Sequence, residues 1–195
     1  MKIFYYFILL TVFVSCVQTS KSQESKNKMT ESNYPEKFDS KNLSEIEKQF
    51  ISDFRQRRIL FDDYIIVNNM NLFTCPGCGY PTLSERGEYD ICAVCNWEDD
   101  NQDDPNADEI WGGPNHRLSL TENRINIGKT LNNLADSLEG KINQNPKQVM
   151  EIFENHKIRM ASLDEDKLMH ARRSDPIWIE YENKEKELLT DLIRR

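Results

Sequence analysis

Four of the five cysteines of this chain fall in one short stretch, CPGCGYPTLSERGEYDICAVC, and they constrain its fold more than any other feature. They form two C-x-x-C pairs, Cys75 with Cys78 and Cys92 with Cys95, separated by thirteen residues. A two-residue spacing lets both sulfurs of a tight turn face one ion, and two such turns complete a tetrahedron. The pattern therefore predicts a four-sulfur metal site, for which zinc is the usual ion.

The residues after each pair suit the sharp turns of a metal-binding knuckle. Gly79 follows Cys78 at a point where the backbone needs a positive φ. Asn96 follows Cys95 in the same way, and asparagine tolerates that conformation better than most residues. Backbone N–H groups in such turns point at the thiolates and stabilise their charge. We therefore interpret both pairs as knuckles, joined by a short hairpin that turns at Arg86.

Other uses of the paired cysteines remain open from the sequence. A redox C-x-x-C places its first cysteine at a helix N-terminus, where the dipole lowers the thiol pKa. Pro81 follows the first pair too closely for a helix to continue there. Two disulfides that staple an extracytoplasmic module are nevertheless compatible with the sequence. The ligand type also leaves iron open beside zinc, because four thiolates suit both ions.

Acidic residues crowd the cysteine region. Between Cys75 and Trp111 ten acidic residues stand against Arg86 alone, so this stretch carries −9 while the whole chain carries −8. A tetrathiolate around a divalent ion adds further negative charge. Nucleic-acid binding requires a basic surface. We therefore expect no nucleic-acid partner and instead an interaction-type role with a protein partner that the sequence does not identify.

Half of a calcium-binding loop stands inside this acidic run. Asp99, Asn101 and Asp103 match the first three ligand positions of such a loop. Asp104 stands where the loop needs glycine, and Ile110 where it needs a bidentate glutamate. We therefore interpret the run as an acidic loop that caps nearby N–H groups.

Side chains near the cysteines give no catalytic motif. The histidines, His116, His156 and His170, have no nucleophile in a recognisable arrangement. Four cysteines would also leave a bound ion no open position for substrate. We expect Trp97 and Trp111 to pack over the metal core. The sequence thus predicts a protein that is not an enzyme.

The N-terminus resembles a bacterial lipoprotein signal peptide over residues 1–15. Lys2 precedes an apolar run that is too short for a comfortable membrane span, and Ser15 precedes Cys16. The resemblance implies cleavage before Cys16, a lipid anchor on its sulfur, and attachment to a membrane of the cell envelope. A plain signal peptide and an uncleaved anchor helix are the alternatives. Residues 16–39 are polar and aperiodic, which predicts a flexible tether.

Hydrophobic spacing predicts helices on both sides of the cysteines. An amphipathic helix is predicted within 40–62, with Ser44 and Glu47 as its capping box, and a helical region over 119–195, with a second box at Ser119. Short β-branched or aromatic runs at 64–67 and 72–74 predict strands. The expected fold is α+β, a small zinc-knuckle β-hairpin module flanked by amphipathic α-helices.

We predict a metal-binding module over residues 63–128, within which Phe73 to Ile127 resemble the bacterial cysteine-rich CPCC family. Its motif, CPCCGY-TL--RG-YDICPVC-WEDD followed by DP, GG-N and SL, is matched here by CPGCGYPTLSERGEYDICAVCNWEDD, Asp104-Pro105, Gly112-Gly113, Asn115 and Ser119-Leu120. Gly77 stands where the family has a third cysteine, and Ala93 stands where it has proline. The resemblance implies a small metal-binding module of unknown role. Four cysteines remain despite Gly77, which is enough for one tetrahedral site.

Overall fold

The computed structural model of the protein describes residues 37–194. The helices and strands in this range are α1 (Glu45–Val67), α2 (Leu120–Ser137), β1 (Lys141–Ile142), α3 (Pro146–Met160), α4 (Glu165–His170), α5 (Pro176–Asp191) and β2 (Ile193–Arg194). The signal peptide and Cys16 predicted above, and most of the tether, lie outside the described residues. Among residues 37–194, none of the helices has both the length and the apolar character needed to cross a bilayer.

Capping boxes begin both helices that flank the cysteines, as the sequence predicts. At the start of α1 the backbone N–H of Ser44 donates to Glu47 at 2.8 Å, and the N–H of Glu47 donates to the Ser44 hydroxyl at 3.4 Å. Ser119 and Glu122 make the same pair of hydrogen bonds at α2, both at 3.1 Å. These boxes satisfy N–H groups that the helix itself leaves without partners.

The α+β class is confirmed, but the strands lie elsewhere than the sequence predicts. Residues 64–67 form the last turn of α1, because Ile65 continues the buried face of that helix. Phe73 forms one isolated antiparallel bridge with Leu83. Ile91 forms another with Glu98, so each bridge spans one knuckle, and in the described chain no bridge joins the two sides of the hairpin predicted around Arg86.

The regular sheet joins β1 to β2 in antiparallel register, Lys141 with Arg194 and Ile142 with Ile193. It attaches the segment after α5 to the end of α2. Gly140 permits this approach, because an added Cβ there would lie 2.6 Å from Ile193 Cγ2 and 2.8 Å from the Arg194 carbonyl oxygen.

One hydrophobic core runs from the cysteines to the C-terminal helix. Fully buried side chains of four helices and of the knuckle region share it; examples are Phe61 of α1, Tyr80 and Leu83 beside the first knuckle, Leu131 of α2, Val149 of α3 and Leu188 of α5. Cys75, Cys78 and Cys92 belong to the same cluster. The cysteines are therefore part of the main core.

Helices α1 and α2 pack closely where Phe50 meets Gly128. A Cβ added to Gly128 would lie 2.7 Å from Phe50 Cβ and 2.9 Å from Phe50 Cγ. Distances this short do not occur between carbon atoms that are not bonded. Glycine is therefore required here by space, although it weakens an isolated helix.

Replacing Gly128→Ala should lower the free energy of unfolding by about 2 kcal/mol. Overpacking against Phe50 outweighs the gain in helix propensity of about 1 kcal/mol. Urea unfolding followed by circular dichroism measures the change. Asn133→Ala, at an exposed position of the same helix, is the control and should be neutral or slightly stabilising. Equal stability of Gly128→Ala and the unaltered protein would contradict the close packing described here.

Candidate metal centre

The four cysteines of the two knuckles meet at one point. Their sulfur atoms all lie within 4.8 Å of one another. The Cys75 and Cys95 sulfurs are 3.7 Å apart, and the Cys78 and Cys92 sulfurs are 3.5 Å apart. None of the four is bonded to another cysteine of the described chain. The two knuckles therefore face each other, and each closest pair joins one knuckle to the other.

Both knuckles have the same backbone geometry, which explains how the sequence brings the sulfurs together. In each, the N–H of the first cysteine donates to the carbonyl five residues later, at 2.8 Å in the first knuckle and 2.9 Å in the second. Its carbonyl accepts from the N–H four residues later, at 2.8 Å in both. That fourth residue is Gly79 with φ 77° in one knuckle and Asn96 with φ 56° in the other. The prediction from these turn residues is confirmed.

Donors also surround the sulfurs. The N–H of Gly77 donates to Cys75 Sγ at 3.3 Å, and the Thr82 hydroxyl donates to Cys92 Sγ at 3.0 Å. Burial raises the pKa of the Cys75 thiol and that of the Cys78 thiol well above the usual value for cysteine. Burial acts the same way on Cys92, but donation from the other three thiols and from Thr82 brings the pKa of Cys92 well below its usual value.

The donor set fits a tetrahedral ion. Four sulfurs at a zinc–sulfur distance of about 2.3 Å lie about 3.8 Å from each other, close to the 3.7 Å and 3.5 Å of the two nearest pairs. A bonded disulfide requires a separation of about 2.05 Å. The cluster can therefore hold a metal ion. Its four sulfurs would be the ligands, and its thiols would lose their protons on binding.

Two arginines hold the first knuckle from opposite helices. Arg57 of α1 donates from Nε to the Cys78 carbonyl oxygen at 2.7 Å, and Arg124 of α2 donates from Nε to the Pro76 carbonyl oxygen at 2.9 Å. The Arg57 guanidinium also lies 4.9 Å from the centre of the Tyr80 ring. Burial raises the pKa of Tyr80 to about 12. These contacts fix the turn that carries two sulfurs and bring positive charge close to it.

The acidic loop after the second knuckle is neutralised by arginines. Asp99 is fully buried and accepts from Arg86 Nε at 2.8 Å and from the Gly87 N–H at 2.7 Å. Asp103 accepts from Arg86 Nη1 at 3.0 Å and from Arg58 Nη2 at 2.8 Å. Arg124 Nη2 lies 2.6 Å from Asp104 Oδ1. The two carboxylates of the half calcium loop thus face guanidinium groups, and together they attach the loop to both helices.

The charge of Asp103 depends on these neighbours. Burial opposes its ionised form, but hydrogen bonds from Arg58, the Asp104 N–H and Arg86 hold the pKa of this carboxyl well below its usual value of 3.8. Because the pKa of Asp103 is lower in the folded than in the unfolded state, its ionised carboxylate stabilises the fold at any pH above the unfolded pKa. That contribution is lost as the pH falls through the folded pKa.

The tryptophans and histidines discussed in the sequence analysis lie outside the four-sulfur cluster. Trp97 is buried beside the second knuckle, as predicted, but Trp111 is 46 % exposed, so its predicted packing over the core is wrong. His116 and His170 are exposed. His156 is buried, with Nε2 3.3 Å from Glu185 Oε1. Within the described chain, the residues grouped closely enough to bind a metal are the four cysteines.

Sequence reasoning missed the arginines. Arg124 occupies a position on the apolar stripe of α2, and a charged residue on a buried stripe signals a specific partner. Arg57 and Arg58 follow one another on α1, where periodicity gives no indication of what they contact. Their partners lie 21 and 45 residues away in the chain. Only the folded arrangement brings these groups together.

These features define a largely helical protein built around a buried four-cysteine cluster that can hold a metal ion. Residues 73–131 match the model of the family described as cysteine-rich CPCC. The match contains both knuckles, the acidic loop and much of α2, whereas α3, α4 and α5 lie beyond it. It supports the resemblance seen in the sequence. No curated protein and no solved structure matches the chain.

Replacing Asp99→Asn should lower the free energy of unfolding by about 3 kcal/mol, because it leaves the Arg86 guanidinium without its buried counter-charge. Chemical denaturation measures the difference. Asp136→Asn on the exposed face of α2 is the matched control and should change stability by less than about 0.5 kcal/mol. An equally small effect of Asp99→Asn would show that the buried pair does not stabilise the fold.

Proposed function

We propose that the protein binds one zinc ion through Cys75, Cys78, Cys92 and Cys95, and that this ion stabilises a membrane-tethered domain with an interaction-type role. The observation that carries the proposal is the convergence of four sulfurs within 4.8 Å in the main core. Zinc is favoured because it prefers tetrahedral thiolate sites and is the usual ion at two paired C-x-x-C turns. The match to the cysteine-rich family supports the same assignment.

The proposed role of the ion is structural. Four protein ligands complete the tetrahedron, so that no position remains for water or substrate. Zinc binding is then part of the folding free energy, because the thiols must lose their protons and meet at one point. Within residues 37–194, the strand pairing of the knuckle region consists of two isolated β-bridges. We accordingly propose that the protein is not an enzyme and that the ion holds together a surface for a protein partner.

The proposed location follows from the N-terminal sequence alone. Residues 1–15 resemble a lipoprotein signal peptide, and Cys16 is the residue that would carry the lipid. Residues 16–39 would act as a polar tether between the membrane and the helical domain. We propose that this domain is held at the surface of a membrane in the cell envelope.

Metal content and thiol titration of the purified full chain test the metal assignment. We expect one zinc per chain, and four thiols that react with a thiol reagent only after chelation. Chelation should also lower the midpoint of thermal unfolding, since the folding energy supplied by the ion is lost. An absorption spectrum typical of iron bound to thiolates would show that the ion is iron and not zinc. The lack of both metal and free thiols would overturn the proposal in favour of a disulfide-stapled or redox module.

Two serine substitutions separate the metal site from the anchor. Cys78→Ser should abolish stable metal binding, because it removes one of four ligands, and should leave lipid labelling of the chain intact. Cys16→Ser should do the reverse, abolishing labelling by a radioactive fatty acid and releasing the protein from membranes. Full metal content in Cys78→Ser would contradict the ligand assignment. Unchanged labelling of Cys16→Ser would contradict the anchor.

A further inference from the structure

Position 77, between the two cysteines of the first knuckle, has space for no side chain. Gly77 has no positive φ, so its backbone conformation does not require glycine. An added Cβ would lie 2.4 Å from Asn123 Nδ2, 3.1 Å from Cys95 Sγ and 3.2 Å from Trp97 Cβ. The side-chain amide of Asn123 and the sulfur of Cys95 therefore face the same point. Asn123 Nδ2 and Cys95 Sγ are therefore no farther apart than the sum of their distances from the added Cβ.

Asn123 has a buried side-chain amide whose N–H donor is not satisfied by an acceptor in the described chain. The residue is 6 % exposed, and its Nδ2 has no hydrogen-bond partner anywhere in residues 37–194. Leaving such a donor unpaired costs about 1–3 kcal/mol. The next residue, Arg124, is bonded to the Pro76 carbonyl oxygen, which fixes this turn of α2 against the knuckle. The amide thus cannot easily turn away from the site.

Cys95 is the sulfur with the least protection. Cys75, Cys78 and Cys92 are fully buried, whereas Cys95 is partly exposed. Cys75 and Cys92 each receive a hydrogen bond from an N–H or a hydroxyl. For Cys95 Sγ, the described chain supplies no hydrogen bond from an N–H or hydroxyl group, and its polar contacts are with other cysteine sulfurs, among them Cys75 Sγ at 3.7 Å. An ionised Cys95 would therefore be an acceptor in need of a donor.

We propose that Asn123 is a positioning residue of the metal centre, whose Nδ2–H group donates to the Cys95 thiolate when the ion is bound. This inference rests on the proposed metal-binding function. The side-chain space left by Gly77 is what allows the amide to reach the sulfur. The hydrogen bond offsets negative charge on the most exposed ligand and slows its release, since hydrogen bonds from outside the ligand shell commonly change metal affinity 10- to 100-fold.

The direct test is NMR on the unaltered full chain loaded with cadmium-113, which binds thiolates as zinc does. A hydrogen bond from an amide to a ligand sulfur transmits scalar coupling between the metal nucleus and the amide proton. We expect such a correlation from the side-chain amide of Asn123. This measurement does not depend on any variant folding correctly. A loaded protein without the correlation would overturn the inference.

A substitution supplies the second test. Asn123→Leu keeps the branching of the side chain and removes the donor, and we expect zinc transfer to an excess of EDTA to accelerate 10- to 100-fold. Asn133→Leu, at an exposed position of the same helix, is the control and should transfer zinc at the unaltered rate. A rate for Asn123→Leu within twofold of the unaltered protein would overturn the assignment of Asn123. If the unaltered protein bound no zinc or cadmium, the proposed function itself would fail.

Discussion

Four sulfur atoms packed into an apolar interior are the constraint that the rest of this structure has to satisfy. At separations of 3.5 and 3.7 Å they cannot all be ionised without a nearby positive charge, and burial already raises the pKa of two of the thiols. The neighbouring arginines donate to carbonyl oxygens of the first knuckle and not to the sulfurs. They orient the turn and leave the charge of the thiolates to be balanced by a divalent ion.

The strong negative charge of the sequence between Cys75 and Trp111 has a different meaning in the folded protein. Counting along the chain sets ten acidic residues against Arg86. In three dimensions Arg58 and Arg124 reach the same loop from the two flanking helices, and Asp99 is wholly enclosed. Three of the ten acidic residues, Asp99, Asp103 and Asp104, are therefore paired with arginines inside the fold. The surface offered to a partner is less acidic than the sequence alone indicates.

The sequence predicts those features that depend on neighbouring residues. The capping boxes at Ser44 and Ser119 and the positive φ at Gly79 and Asn96 follow from local chemistry, and the structure contains all of them. The four sulfurs also follow, because the spacing within each pair determines which way they face. The contact of Arg58 with Asp103 and the pairing of β1 with β2 join distant parts of the chain, for which no local pattern exists. The strand predicted at 64–67 failed because tertiary packing of the helix face outweighed the preference of β-branched residues for strands.

The position of α5 determines when the core can close. Leu188 and Leu192, near the C-terminal end of the described chain, are fully buried in the cluster that contains three of the cysteines. Val94 of the second knuckle and Leu189 line the same small cavity. The cover of the knuckles is therefore complete only when α5, which is distant from them in the chain, has packed against the core. Contacts of such long sequence separation form late in folding. The thiols are therefore more accessible to an ion or to an oxidant before α5 packs against the core than after it.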